Sequence, residues 1–362
     1  MKNGSTPLVS IITVCLNSEK TIEQTIKSVL GQTYKNIEYI IVDGKSSDGT
    51  LDIINMYRSQ IAKMVSEPDE GLYDAMNKGI SMATGDIVGI INSDDWYEPY
   101  TVEEVVECIR KTNADLVYGD MLEIDVEGTK LMILEDIENL RGDLKVPHPT
   151  VFIKKEVYDM YGKFDIQYKI SADLDLVLRL LNKGIKVERI KKVLANFRMG
   201  GISQQKVALS NKEVIQIGKK HCEELDEKER LYYLERINDI YKGYCFNELI
   251  ENNPQKIGDT ICTILQEHNL KELVIFGSGN WGKRIGKFLL NKHVPLSYYA
   301  DNDQSKWGST IDNVAVVSPQ TLKKFNGLVL ILINKYSSEC LKQVEEMNNS
   351  KIVCIDWKQL LV

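Results

Sequence analysis

Over the first hundred residues, short apolar runs alternate with segments whose apolar positions recur at helical spacing. Residues 9–14 read as a buried strand, and Ile22, Ile26, Val29 and Leu30 then fall on one helical face, with Ser18 placed to cap it. Residues 37–42 give the next strand, Leu51, Ile54 and Ile61 suggest a second helix, and 64–66 is short and extended. Leu72, Met76 and Ile80 recur every fourth residue, which predicts a helix. The unbroken apolar run 87–91 suits a strand of a parallel sheet covered on both faces. This alternation predicts an α/β sandwich around a mainly parallel sheet.

From 111 to 153 the pattern turns to shorter strands with less helix. A helix near 174–181 and strands at 185–190 and 193–197 follow, and Gly200-Gly201 closes the unit. Spaced apolar residues among many charges, among them Ile215, Leu225, Leu234 and Ile250, read as a helical connector. A second α/β unit opens near Lys271, with strands at 273–276, 296–300, 314–317 and 328–333. The expected division is a first domain at 1–205, a connector at 206–268 and a smaller α/β domain at 269–362.

Composition removes several function classes. A length of 362 residues allows two domains, and a net charge of −7 supplies no overall basic field for nucleic acid. The cluster Lys186, Arg189, Lys191 and Lys192 leaves open either a solvated face or a patch for an anionic membrane. The seven cysteines are scattered without a CxxC pair, which argues against a zinc site or disulfide framework and for a reduced, cytoplasmic setting. No apolar stretch approaches the roughly 18 residues of a spanning helix, and 9–14 is too short for a signal peptide. The expectation is a soluble chain, at most peripheral on the inner face of the cell membrane.

Candidate chemistry gathers after the strands. Asn92-Ser93-Asp94-Asp95 directly follows the run 87–91, and ligands in open α/β sheets bind beyond the carboxyl ends of strands. Adjacent carboxylates repel, so burying them calls for donors or a cation; oxygen ligands suit Mg2+ or Mn2+ bridging to phosphate. Turn chemistry alone would also explain the four residues. The strand 37–42 ends in Asp43-Gly44-Lys45-Ser46-Ser47-Asp48-Gly49-Thr50, an acid suited to a ribose or base, or a loop and helix cap. Between them, Glu67 to Gly79 is unusually polar for the start of a helix with a core stripe, although acids there also suit the helix dipole.

Taken together these segments resemble the family 2 glycosyltransferases of GT-A fold, the bacterial surface-polysaccharide branch in particular. The matching stretches run from Val9 to Asn17, Ser28 to Tyr34, Asp43 to Thr50, Asp69 to Gly79 and Asn92 to Trp96. His148 to Phe152, Gly162 to Asp165, Ser171 to Arg179 and Gly200 to Ser203 continue the match in order and spacing. The resemblance implies an inverting transferase moving a sugar from a nucleoside-diphosphate donor, UDP-linked by preference, to a polysaccharide or lipid-linked acceptor. It implies that Asp43 meets the base or ribose, helped by Asn17, Ser46, Asp69, Asp74, Asn77 and Lys78. Asp94 is implied to hold the cation on the diphosphate, with Asp95, Ser93 and Asn92 beside it; Asn92 stands where the family's motif carries its first acid. Asp173 matches the catalytic base. An Asp there also suits a helix N-cap. Asp175 and Arg179 follow on the same helix, and Asp173 and Asp175, two apart, cannot share its face. His148, one of four histidines, Trp96, Asp175 and Arg179 are candidates for acceptor or substrate contact.

In the last part of the chain, Gly277-Ser278-Gly279-Asn280-Trp281-Gly282 follows a predicted strand and opens a helix, and Asp301 lies 19 residues after Gly282. That is the dinucleotide fingerprint in its required context, with phosphate at the helix start and a ribose hydroxyl on Asp301. It resembles the Rossmann-like domain of sugar-modifying enzymes. No Tyr-x-x-x-Lys pair follows, so a nucleotide-binding or purely structural, homo-oligomerising module is expected before a second enzyme. Two alternatives stand beside the transferase: an NAD(P)-dependent sugar-nucleotide oxidoreductase using Gly277 to Asp301, and a non-catalytic assembly factor.

Overall fold

The computed structural model describes residues 6–124, 129–132, 146–333 and 337–361. Parts of the 111–153 stretch, 125–128 and 133–145, lie outside the described residues. The chain divides into two compact units, Met1–Ile237 and Asn238–Val362, and the division falls within the helix Glu227–Asn252.

Among the described residues of the first unit, nine strands form one mixed sheet: β1 (Val9–Cys15), β2 (Ile37–Asp43), β3 (Lys63–Ser66), β4 (Ile87–Asn92), β5 (Trp96–Tyr97), β6 (Leu116–Ile124), β7 (Thr129–Met132), β8 (Phe152–Lys154) and β9 (Val187–Arg198). The order is β3-β2-β1-β4-β8-β6-β9-β5, with β7 on β6. β3, β2, β1 and β4 run parallel, and β8 joins β4 antiparallel. The register sets Cys15 beside Asp43, Asp43 beside Ser66, and Val14 beside Asn92. The carboxyl ends of four strands therefore finish along one edge.

The helices Ile22–Leu30 and Thr101–Thr112 bury Ile22, Ile26, Val29, Val102, Val105 and Ile109 with Ile11, Ile41, Ile87 and Ile91. The helix Leu72–Met82 packs against β1 and β2, with Met76 and Ile80 buried. Each such aliphatic side chain contributes about 1.5–3 kcal/mol relative to exposure. Ser18 does not cap as expected. Its carbonyl receives the N–H groups of Thr21 and Ile22, both at 3.0 Å, and its hydroxyl lies 2.7 Å from Ser93 Oγ. The two strands expected at 185–190 and 193–197 are one strand, β9. Its pairing with β6 steps from Ile190 to Val193 opposite Gly119 and Asp120, so the exposed Lys191 and Lys192 bulge out of the ladder.

After β9 come the helices Val207–Cys222, Glu227–Asn252 and Pro254–Glu267. The second unit holds a six-stranded sheet among the described residues: β10 (Leu273–Phe276), β11 (Leu296–Ala300), β12 (Thr310–Ile311), β13 (Val314–Val317), β14 (Gly327–Ile331) and β15 (Ile352–Asp356). Its order is β12-β13-β11-β10-β14-β15, parallel except for β12. Leu273, Ile275, Leu328 and Leu330 enter one core, and Val274, Phe276, Val329 and Ile331 a second on the other face. The period-2 alternation of a strand thus feeds two buried faces. All seven cysteines are free thiols, and no helix among the described residues is long and apolar enough to cross a membrane.

Candidate active site

Asp43, fully buried at the end of β2, ties the first loops together. Its carboxylate accepts from Ser46 N at 3.0 Å, from Ser46 Oγ, and from Ser66 Oγ at 2.6 Å. Asn17 adopts a left-handed φ of 51°; its N–H donates to Ser46 Oγ at 2.8 Å and its Oδ1 accepts from Ser47 N at 2.9 Å. Asp69 accepts from Gly71 N at 2.9 Å and lies over Gly44, where a Cβ would stand 2.5 Å from Asp69 Oδ2. A side chain at Gly44 would make the Asp69 carboxylate swing aside.

The polar segment before and within the helix Leu72–Met82 is largely engaged with itself. Asp74 accepts from Glu70 N at 3.1 Å, and Lys78 pairs with Glu67 at 3.0 Å and Asp74 at 3.3 Å. Asn77 grips Phe164 at both ends, donating to its O at 2.9 Å and accepting from its N at 3.0 Å.

Beyond β4, Asp95 is fully buried while Asp94 is half-buried. Asp95 Oδ1 accepts from Arg198 N at 3.0 Å, but Asp95 Oδ2 and the nearby Asn92 Oδ1 have no hydrogen-bond partner. Burial, then repulsion from Asp94, pushes the Asp95 carboxyl well above its ordinary value; burial also raises Asp94. This is a set of acceptor oxygens short of positive charge. Arg198 crosses it: the guanidinium lies 5.1 Å from the Trp96 ring centroid and donates to Gln24 Oε1 at 2.8 Å and Asp94 O at 3.3 Å. Sequence reasoning missed Arg198; its signal was a lone cation ending the strand before Gly200-Gly201.

Asp173 lies in the first turn of the helix Ala172–Asn182, half-buried. The Tyr73 hydroxyl sits 2.9 Å from Asp173 Oδ1 and 2.7 Å from Ile170 O, so one proton serves two acceptors. Burial raises the Asp173 carboxyl above its ordinary value, against the opposing pull of His148 and the Tyr73 hydrogen bond. Burial lowers the His148 imidazole, with Asp173 opposing. The His148, Phe164 and Tyr73 rings form a row, with centroids 6.1 Å and 5.2 Å apart. Tyr73, off the 72–76–80 stripe, was another residue that periodicity did not single out. Asp175 and Arg179 are not part of this group. Asp175, 1% exposed, accepts from Lys220 and His221, each at 2.9 Å, and Arg179 donates to the carbonyls of Tyr161 and Lys163.

In the second unit, Gly277 has φ 111°, and a Cβ on Gly282 would lie 1.9 Å from Gly277 O, so this turn requires both glycines. Gly279 faces open space. Asp301 accepts from Ser278 N at 3.0 Å, Ser278 Oγ, Asp303 N at 2.9 Å and Lys306 Nζ at 3.2 Å. Its carboxylate is spent on the loop itself.

Residues 10–164 match the family described as Glycosyl transferase family 2, and residues 269–353 match the family described as C2185-like, N-terminal. A PGL/p-HBAD biosynthesis glycosyltransferase of Mycobacterium bovis is 30% identical over 206 residues, covering 54% of this chain and 79% of the relative. An uncharacterized glycosyltransferase of Mycobacterium tuberculosis is 32% identical over 181 residues, covering 48% of this chain and 69% of its own. Among solved structures, S. aureus TarS 1-349 in complex with UDP-GlcNAc superposes with a TM-score of 0.57 at 18% identity, covering 70% of this chain and 80% of that one. On these matches and this fold, the chain belongs to the family 2 glycosyltransferases of GT-A fold.

Proposed function

We propose that this glycosyltransferase inverts the anomeric centre, uses a divalent cation, and moves a sugar from a UDP-linked donor to a hydroxyl of a polysaccharide or lipid-linked acceptor. The observation that carries the reading is Asp173: a half-buried carboxylate, raised above its ordinary value by burial and hydrogen-bonded by the Tyr73 hydroxyl. Asp173 takes the proton of the acceptor hydroxyl as that oxygen bonds the anomeric carbon from the face opposite the leaving group. The nucleoside diphosphate departs with the electron pair, and a single displacement inverts configuration.

Asp94, Asp95 and Asn92 fit a hard cation, because they offer oxygens only and two of those oxygens lack a partner. When bound, Mg2+ or Mn2+ supplies positive charge against the diphosphate. Among the described residues no three His, Cys, Asp or Glu side chains cluster, so donor oxygens would complete the shell. Asp43, with Asn17 and Ser46, borders the nucleoside end in this reading, and Trp96 and His148 the acceptor end. The UDP-GlcNAc bound by the structural neighbour supports the choice of nucleotide. Because Asp301 is engaged by its own loop, we read the second unit as a structural or oligomerising module before a dinucleotide enzyme.

The test is Asp173→Asn. Transfer should fall about 10²–10⁴-fold, the usual worth of a general base, while UDP affinity in Mn2+ stays within about two-fold. Turnover at the wild-type rate would remove the base assignment.

A further inference from the structure

Glu213 lies on the helix Val207–Cys222, beyond the match to family 2, yet it is 5% exposed and fully engaged. One carboxylate oxygen accepts from Lys169 N at 2.7 Å, and the other from Ile170 N at 2.9 Å and Ser171 N at 3.0 Å. These are three consecutive backbone donors immediately ahead of the helix that carries Asp173. Ser171, at the N-cap of that helix, makes no side-chain cap hydrogen bond of its own. A buried carboxylate is tolerated when such donors surround it. The segment it holds also touches the base directly, since Ile170 O and Asp173 Oδ1 share the Tyr73 hydroxyl. Two turns on, Lys220 and His221 of the same helix hold Asp175, with the fully buried Ile217 between the two grips.

We propose that Glu213 is a positioning residue for Asp173, and that the helix Val207–Cys222 is a working part of the transferase rather than a connector. Glu213 fixes the backbone on which Asp173 and its Tyr73 partner are registered. Displacing a catalytic group by about 1 Å costs on the order of 10²-fold in rate. The inference rests on the reading of Asp173 as base.

The full-length chain is assayed for UDP or GDP release, with Mn2+, from whichever UDP- or GDP-sugar of a panel the wild type turns over fastest. Glu213→Ala, Glu213→Gln, Asp173→Asn and the double variant Glu213→Ala/Asp173→Asn are compared. Glu213→Ala is expected to lower kcat roughly 10–100-fold, leaving donor KM and UDP affinity within about two-fold. The acidic limb of its kcat profile should move to lower pH as water reaches the loosened carboxyl. Glu213→Gln, which keeps a carbonyl acceptor, should recover part of the rate. The double variant should be no slower than Asp173→Asn alone, because two residues acting through one group are not additive. Wild-type kcat in Glu213→Ala beside an inactive Asp173→Asn overturns the inference alone; an active Asp173→Asn overturns the base reading and takes the inference with it. Should Glu213→Ala fail to fold, Glu213→Gln decides. A moved pH profile with UDP affinity intact supports positioning, and an unmoved profile overturns it.

Discussion

Glu38 sits 8% exposed in β2 and is held by Lys63 at 2.6 Å, Ser10 Oγ, and Thr84 N and Oγ1, each of the last two at 2.8 Å. Burial alone would raise its carboxyl, but the hydrogen bonds from Lys63, Ser10 and Thr84 outweigh it and bring it from 4.5 to about 2. The folded value lies below the unfolded one, so the stability this group contributes is present above 4.5 and is lost as pH falls toward about 2. The urea midpoint of the wild type should therefore drop across that window, and Glu38→Gln should start lower and drop less. Asp94 invites a different measurement. Asp94 is half-buried, whereas Asp95 is fully buried and accepts from Arg198 N. Asp94→Ala should weaken UDP binding about ten-fold or more in Mn2+, by analogy with the loss of a charge-assisted contact, and change it little in EDTA; titration calorimetry reads both. Asp43 and Asp94 stand out in the sequence as acids directly after apolar runs, and Asp173 stands out through the family resemblance. Arg198, Tyr73 and Glu213 do not, since each takes its meaning from partners about forty to a hundred residues away.

At the scale of elements, apolar runs and four-residue recurrences located β1, β2, β4 and the helix Leu72–Met82 well, because the strands are buried on both faces and the helix on one. The failures were at junctions. Lys191 and Lys192 looked like a break between strands, but β9 runs through them by letting both bulge to solvent. Ser18 looked like a cap, but chain direction gave the task to its carbonyl. The glycine-rich turn after β10 was legible as a tight turn, and its tolerance can be tested. Gly282→Ala pushes a methyl into Gly277 O and should destabilise the second unit by about 1–3 kcal/mol, the usual scale of overpacking. Thermal unfolding would read this as a loss of several degrees.

For the molecule as a whole, the described residues form separate buried clusters, one around β1–β4 and two on the two faces of the β10–β15 sheet. A calorimetric scan should not reduce to one transition, and Gly282→Ala should move only the component that belongs to the second unit. The sequence reads as two α/β units joined by a helical connector at 206–268, since charged helices with scattered apolar residues give no period that names their partner. The edge formed by Cys15, Asp43, Ser66 and Asn92 carries one last consequence. Its strand ends are fixed by a deep core, whereas the loops leaving them answer mainly to one another. Such loops can lengthen, shorten or exchange residues without retuning the sheet, so donor and acceptor preference can diverge in descendants of this chain while the scaffold beneath is inherited unchanged.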